Sequence, residues 1–328
     1  MNLQNELTIA KEAVRQASVL CASVQSSLCS VVQLDKADKS PVTVADYGAQ
    51  ALVLNILAKA FPEDPAVGEE DTGGLRDPEN APLLSSIIEQ VQKVDPSLDR
   101  NGILDSIDRG GHPGGPSGRF WTLDPIDGTK GFLRGEQYAV ALALIIDGEV
   151  VLGVLGCPNL TVDSDVSNPQ VGTILCAAKG QGAYRVPISD LSRAFKITCD
   201  QISDPALAVF CESVESGHTA HGWSAKITEL LGSKSKPFRM DSQCKYAAVS
   251  RGQASIYLRL PIKPGYEEKI WDHAAGYIIL MEAGGRISDT LGQPLDFSMG
   301  RTLRNNKGIV ATSSGVFDSV LRATIESA

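Results

Sequence analysis

The sequence predicts an α/β protein of two lobes, an N-terminal α+β lobe over residues 1–187 and a C-terminal α/β lobe over residues 188–328. Three observations point there. Leu7, Ala10, Val14, Ala17, Cys21, Val24 and Leu28 step by three and four, the period of one long amphipathic helix across the first thirty residues. From Gln137 the pattern changes to strand-like alternation, with residues 138–146 and 150–157 flanking an Asp147-Gly148 turn as a hairpin. Beyond about residue 188 strands alternate with helices. At 328 residues the chain is long enough for a large core and two lobes.

In chain order, the first helix serves packing. A polar loop leads to Pro41-Val42-Thr43-Val44-Ala45-Asp46 and a second helix carrying Ala49, Leu52, Ile56, Leu57 and Ala60. Thr43 and Asp46 have capping-box spacing, with Asp in place of Glu or Gln. The stretch from Pro62 to Pro65 ends that helix, and a short apolar step reaches Gly68-Glu69-Glu70-Asp71. Residues 72–118 are rich in Gly, Pro, Ser and Asp around one amphipathic segment at 83–94, and they read as a mobile insertion that covers a strand edge or flanks a site. A second apolar pair, 172–178 and 183–186, surrounds Lys179-Gly180-Gln181-Gly182, which lacks the G-x-G-x-x-G frame and reads as a turn. In the second lobe, strands at 207–211, 238–240 and 256–260 alternate with helices at 221–231, 243–250 and 268–283. Gly284-Gly285 stops the last of these, a strand to Ser288 follows, and 308–312 and a final helix close the chain.

Composition narrows the function. Thirty Lys and Arg against 39 Asp and Glu give a net charge of -9, which argues against nonspecific nucleic-acid binding. The seven Cys form no C-x-x-C pair, so they read as reduced thiols of a cytoplasmic protein without a zinc site. No apolar run reaches the ~18 residues of a membrane span. Glu6, Lys11, Glu12 and Arg15 interrupt any signal-peptide core. A monomer acting on a small molecule, with no nucleic-acid or membrane partner, is the expectation.

The chemistry concentrates in Phe120-Trp121-Thr122-Leu123-Asp124-Pro125-Ile126-Asp127-Gly128-Thr129-Lys130-Gly131. A β-rich run ends in two carboxylates, and Pro125 fixes the backbone between them so that Asp124, Asp127 and the Ile126 carbonyl can converge on hard cations. Gly128 permits a sharp turn, after which backbone amides could face an anion. Glu69 and Asp272 add carboxylates from other elements. An oxygen-only ligand set without paired His or Cys selects magnesium, with manganese as the alternative, over zinc. Two such ions about 4 Å apart could activate a water and neutralise the leaving oxygen of a phosphate ester. The Thr129 hydroxyl could share that water's proton with Asp46. The Asp-x-x-Asp spacing differs from the Asp-x-Asp of haloacid-dehalogenase-type phosphatases, whose first Asp is a covalent nucleophile. Gly128-Thr129-Lys130 also lacks the frame of a P-loop.

Gly68-Glu69-Glu70, Leu123-Asp124-Pro125-Ile126-Asp127-Gly128-Thr129, Trp271-Asp272-His273-Ala274-Ala275-Gly276 and Glu282-Ala283-Gly284-Gly285 together resemble the lithium-sensitive, magnesium-dependent inositol monophosphatase superfamily. Within it, Lys130-Gly131-Phe132-Leu133-Arg134-Gly135-Glu136-Gln137, Asp241-Ser242-Gln243 with Lys245-Tyr246, and Tyr257-Leu258-Arg259-Leu260-Pro261 are similar to the 3′(2′),5′-bisphosphate nucleotidases. The likeness runs almost end to end. It implies a layered α/β/α/β/α sandwich with the site between the lobes, two or three magnesium ions, and hydrolysis of the 3′-phosphate of adenosine 3′,5′-bisphosphate and of its sulfated relative. Glu69, Asp124, the Ile126 carbonyl, Asp127 and Asp272 match the metal ligands of these enzymes, and Asp46 and Thr129 match the water-activating pair. Thr129, His218, Ser242, Lys245 and Arg259 match substrate contacts.

Each position also has an ordinary structural reading: Asp46 and Ser242 as helix caps, His218 as a surface-loop histidine, Lys245 and Arg259 as solvated charges. Cys244 stands where the family has a small Ala, and Asp71 follows the two Glu residues. Inositol polyphosphate 1-phosphatase is the alternative activity, with different phosphate anchors on the same metal core. A nucleotide sensor without turnover is the alternative of another class, and it would need a missing ligand.

Overall fold

The computed structural model describes residues 2–27, 33–35, 41–163, 170–214, 221–261, 263 and 265–328. They form five layers. The outermost is α1 (Gln4–Ser26), joined through a two-stranded ladder of β1 (Gln33–Asp35) and β2 (Pro41–Thr43) to α2 (Val44–Ala60). α1 buries Ala10, Val14, Ala17, Cys21 and Val24, the stripe that the spacing predicts. α2 is buried almost all round, because α1, α3, α4 and the first sheet each take a side of it.

That sheet is the second layer, with seven strands in chain order: β3 (Ala66–Gly68), β4 (Arg119–Asp127), β5 (Ala139–Ile146), β6 (Glu149–Thr161), β7 (Val171–Ala178), β8 (Ala183–Pro187) and β9 (Phe195–Ile197). Within this sheet β3 and β4 run parallel, and the other described neighbours run antiparallel. The β5–β6 hairpin turns at Asp147 (φ 50°) and Gly148 (φ 77°), the left-handed pair that a two-residue turn requires. β9 is a three-residue strand with no legible alternation, so the first sheet ends later than the expected lobe boundary at 187. The Gly-rich turn after β7 is indeed a turn: the Glu282 carboxylate accepts the amides of Gly180 and Gly182, both at 2.7 Å.

Residues 72–118 correct the expectation of one helix in an otherwise loop-like insertion. They hold α3 (Ala81–Val94) and a second helix, α4 (Arg100–Asp108), both packed on α2. Asp99 caps α4 by accepting the Gly102 amide at 2.8 Å, and Ile103, Leu104 and Ile107 are buried from it. The insertion does cover a strand edge. Gly68 donates to the Gly110 carbonyl (2.8 Å) and His112 donates to Ala66 (3.0 Å), which closes the outer side of β3.

The middle layer is α7 (Cys244–Ser250) with α8 (Ala274–Glu282), packed between the first sheet and the second. The second sheet has the order β11 (Phe238–Arg239), β10 (Phe210–Glu212), β12 (Ile256–Arg259), β14 (Ile309–Ser313), β13 (Gly285–Ser288). α6 (His221–Leu230) and α9 (Phe317–Glu326) form the fifth layer. Three apolar clusters fill the spaces between the layers. In the second sheet, β10 begins at Phe210, after a 3₁₀ turn at Pro205–Leu207. α8 begins at Ala274 rather than at residue 268, because Ile270–Asp272 forms a separate 3₁₀ turn and His273 leaves helical geometry (φ -134°).

Candidate active site

β4 brings its two carboxylates together by a bulge. Asp124 pairs with Ala141 and Asp127 with Ala139, so three steps on β4 oppose two on β5. Residues three apart on a regular strand point to opposite faces, and the extra residue cancels that alternation. Pro125, which has no N–H to leave unpaired, sits inside the irregular stretch.

Gly128 then turns the chain at φ 89° into α5 (Thr129–Leu133). A Cβ there would lie 2.9 Å from the Ser242 Cβ, so only glycine lets the 241–245 segment reach the end of β4. The Gln243 amide donates to Asp127 Oδ2 at 2.5 Å. Ser242 holds a left-handed backbone (φ 68°), and its hydroxyl accepts the Cys244 amide at 3.1 Å from one residue before the N-cap of α7, which is Gln243 rather than the expected Ser242. The Thr129 hydroxyl donates to the Ile126 carbonyl at 3.2 Å. Cys244 is buried, and its thiol donates to the Tyr138 carbonyl at 3.3 Å.

Glu69 arrives at the end of β3 and is braced from two sides. Gln50 of α2 donates to the Glu70 carbonyl (2.7 Å) and accepts the Glu70 amide (3.1 Å). Arg301 donates to the Gly68 carbonyl at 2.5 Å, with its guanidinium 4.7 Å from the centre of the Trp271 ring. The bulky cation therefore props Glu69 and the Asp272 segment together. Asp71 accepts the Gly73 amide at 2.9 Å, an ordinary Asx turn.

Lys245 is buried and Arg259 is partly buried, each held by protein groups. Lys245 is 3% exposed, donates to the Ser242 carbonyl at 2.8 Å, and lies over the Tyr257 ring. Arg259 reaches Glu268 at 2.7 Å and Asp272 at 3.4 Å. Glu268 also meets His273 at 3.2 Å, and the other nitrogen of that ring pairs with the Tyr246 hydroxyl at 2.9 Å. Sequence reasoning missed this Tyr246–His273–Glu268–Arg259 chain, together with Gln50, Gln243 and Arg301. His273 stands inside the Trp-Asp-His motif and was the signal available. His218 lies outside the described residues.

The inositol monophosphatase family model matches residues 2–328. The chain belongs to the inositol monophosphatase family. It is 44% identical over 348 residues to the 3′(2′),5′-bisphosphate nucleotidase of Emericella nidulans, covering 98% of each chain. It is 47% identical over 334 residues to the 3′(2′),5′-bisphosphate nucleotidase of Oryza sativa, covering 97% of this chain and 93% of the relative. Among solved structures, the IMPase of Thermotoga maritima superposes with a TM-score of 0.66 at 21% identity, over 99% of this chain and 98% of the other. The suhB protein of Bartonella henselae gives 0.66 at 19% identity, over 97% of each chain. These structures share the layered fold.

Inositol monophosphatase family members are metal-dependent, and the electrostatics of this site fit a cation. Burial pushes the Asp124 carboxyl well above its usual range, and Glu69, Asp127, Asp272 and Asp46 all push the same way. One Asp124 oxygen is buried without a hydrogen-bond partner. Burial also raises Asp127, though Lys245 and the Gln243 amide pull it back. Asp272 is driven to about 7 by burial and by Asp127 and Glu69, against Arg259. These effects place Asp46, Glu69, Asp124, Asp127 and Asp272 within electrostatic reach of one another. A divalent cation would satisfy them, and an oxygen-only set suits a hard ion. A second acidic group, Glu268, Asp272 and His273, has ligand atoms within 4.8 Å. Arg259 and Tyr246 already occupy it, so its charge is balanced by protein groups.

Proposed function

We propose that this chain is a magnesium-dependent 3′(2′),5′-bisphosphate nucleotidase that releases phosphate from the 3′ position of adenosine 3′,5′-bisphosphate, leaving AMP, and treats the sulfated relative in the same way. The observation that carries the reading is the buried Lys245, whose ammonium donates to the Met240 and Ser242 carbonyls and lies over the Tyr257 ring, within electrostatic reach of Asp127. Such a charge suits a second, non-scissile phosphate. The names of the relatives support the same substrate.

Glu69, Asp124, the Ile126 carbonyl, Asp127 and Asp272 would hold two or three magnesium ions, or manganese. When bound, these ions supply Lewis-acid polarisation of the phosphate ester and an acidified water. Asp46 takes the proton of the attacking water, with the Thr129 hydroxyl orienting that water from its anchor on Ile126. Lys245, Arg259 and Ser242 hold the rest of the nucleotide, and His218 adds to them. The burial of Lys245 excludes water from its ammonium, which strengthens a contact to phosphate. The same reading makes the protein a cytoplasmic monomer. The buried free thiols Cys21, Cys157, Cys176, Cys199, Cys211 and Cys244 support a reducing compartment.

Phosphate release from adenosine 3′,5′-bisphosphate, 3′-AMP and inositol 1,4-bisphosphate, with and without magnesium, tests the reading. The expected order of kcat/KM is bisphosphate nucleotide first, with no release after chelation. Faster release from the inositol bisphosphate would transfer the assignment to an inositol polyphosphate 1-phosphatase.

A further inference from the structure

Gln243 is 2% exposed and joins two elements that each carry a carboxylate of the site. Its backbone N–H donates to Asp127 Oδ2 at 2.5 Å. Its side-chain amide donates from Nε2 to the Trp271 carbonyl at 2.9 Å, and its Oε1 accepts the Gly276 amide at 3.0 Å. Trp271 and Gly276 bracket Asp272 and His273. The Gly276 amide is one of the donors left unpaired in the first turn of α8, so the glutamine caps α8 from another element. A Cβ on Gly276 would lie 2.3 Å from the Tyr246 ring, so this approach of α7 to α8 is closed to any larger residue.

We propose that Gln243 is a positioning residue that sets the separation of Asp127 and Asp272, and thereby the affinity of the cation they share. The inference rests on the metal-dependent reading above. Asp127 belongs to the first sheet and Asp272 to the turn before α8, and both carboxylates are partly buried in a cluster of like charge. Repulsion favours their separation in the absence of a cation, and the glutamine opposes it with one donor and one acceptor at fixed spacing. The side-chain amide offers both groups in one planar unit without any change of protonation. A ligand pair held at the right distance binds without rearrangement, which is how groups behind the ligands tune metal sites.

Manganese binding to the full chain, followed by electron paramagnetic resonance without substrate, tests the proposal. Gln243→Met keeps the volume and removes both side-chain bonds. Gln243→Asn keeps the amide but shortens its reach, and it serves if the Met variant folds poorly. Either variant is expected to bind manganese about 10- to 100-fold more weakly than wild type. The magnesium concentration for half-maximal activity should rise by the same factor, while kcat at saturating magnesium returns close to wild type. Leu280→Ala, a cavity in α8 away from these bonds, should lower the melting temperature and leave manganese affinity unchanged. Wild-type affinity in both Gln243 variants would overturn the proposal while leaving the metal-dependent reading intact. No manganese binding by wild type would overturn both.

Discussion

Two buried acidic groups lie side by side in this molecule and behave in opposite ways. In the first, Asp124, Asp127 and Asp272 are pushed upward in pKa by burial and by neighbouring carboxylates, with Glu69 acting on all three. In the second, burial alone would raise Glu268, yet Arg259 and His273 hold it down at about 2. Asp124 and Glu268 are both buried carboxylates, and the difference between them is compensation. Glu268 has a guanidinium at 2.7 Å and an imidazole at 3.2 Å, whereas Asp124 keeps a buried oxygen without a partner. The balanced group acts as a prop that fixes Arg259 and the turn before α8. The unbalanced group is arranged to take up positive charge from outside the protein, and Asp272 belongs to both.

The largest effect expected from that contrast is loss of an unbalanced carboxylate. Asp124→Asn should lower turnover by at least ~10³-fold, since cation stabilisation of the transition state is worth several kcal/mol. No acid-stable phosphoaspartate should be found by mass spectrometry after a quench, and trapping one would replace the hydrolytic scheme with a covalent one. Asp46→Ala should lower turnover by about 10²- to 10⁴-fold with nucleotide affinity retained. Near-normal turnover with early melting would make Asp46 a helix-capping residue only.

How much of this was legible beforehand follows from where the signal was local. The bulged Asp-Pro-Ile-Asp-Gly-Thr segment, the first helix and the hairpin each lie in a short contiguous pattern that the sequence displays. Lys245 and Arg259 could be chosen only through resemblance, because nothing in Gln-Cys-Lys-Tyr or Tyr-Leu-Arg-Leu separates a buried cation from a solvated one. Gln50 and Arg301 act on backbone groups distant in sequence, so their roles exist only after folding. α4 was hidden because Gly102 in its first turn and the surrounding turn-formers masked the spacing of Leu98, Ile103, Leu104 and Ile107.

Changes to the balanced group should be felt in stability before catalysis. Arg259→Met leaves the buried Glu268 without its guanidinium and with His273 alone to balance it, an expected loss of about 3 to 5 kcal/mol in a denaturant titration. Adding Glu268→Gln should recover most of it, and failure to recover would mean that the pair is not coupled as the contacts indicate. Lys245→Met should weaken kcat/KM for adenosine 3′,5′-bisphosphate by about ten- to a hundredfold, with little change for 3′-AMP. Equal losses on both would remove Lys245 from the second-phosphate site.

The smallest effect is a pH dependence. Carboxyls raised in the folded state bind more protons there than in the unfolded chain. In the metal-free protein their contribution to stability is therefore favourable at low pH and lost as pH rises toward about 7, the value for Asp272. Magnesium competes with those protons, so the rise in melting temperature that it causes should be larger at pH 7.5 than at pH 5.5. An increment independent of pH would show that the cation binds elsewhere.

Anomalous diffraction from crystals soaked in manganese separates the two acidic groups directly. The expected result is density among Glu69, Asp124, Asp127 and Asp272, with none between Glu268 and His273. Manganese seated on Glu268 and His273, with Arg259 displaced, would contradict the account.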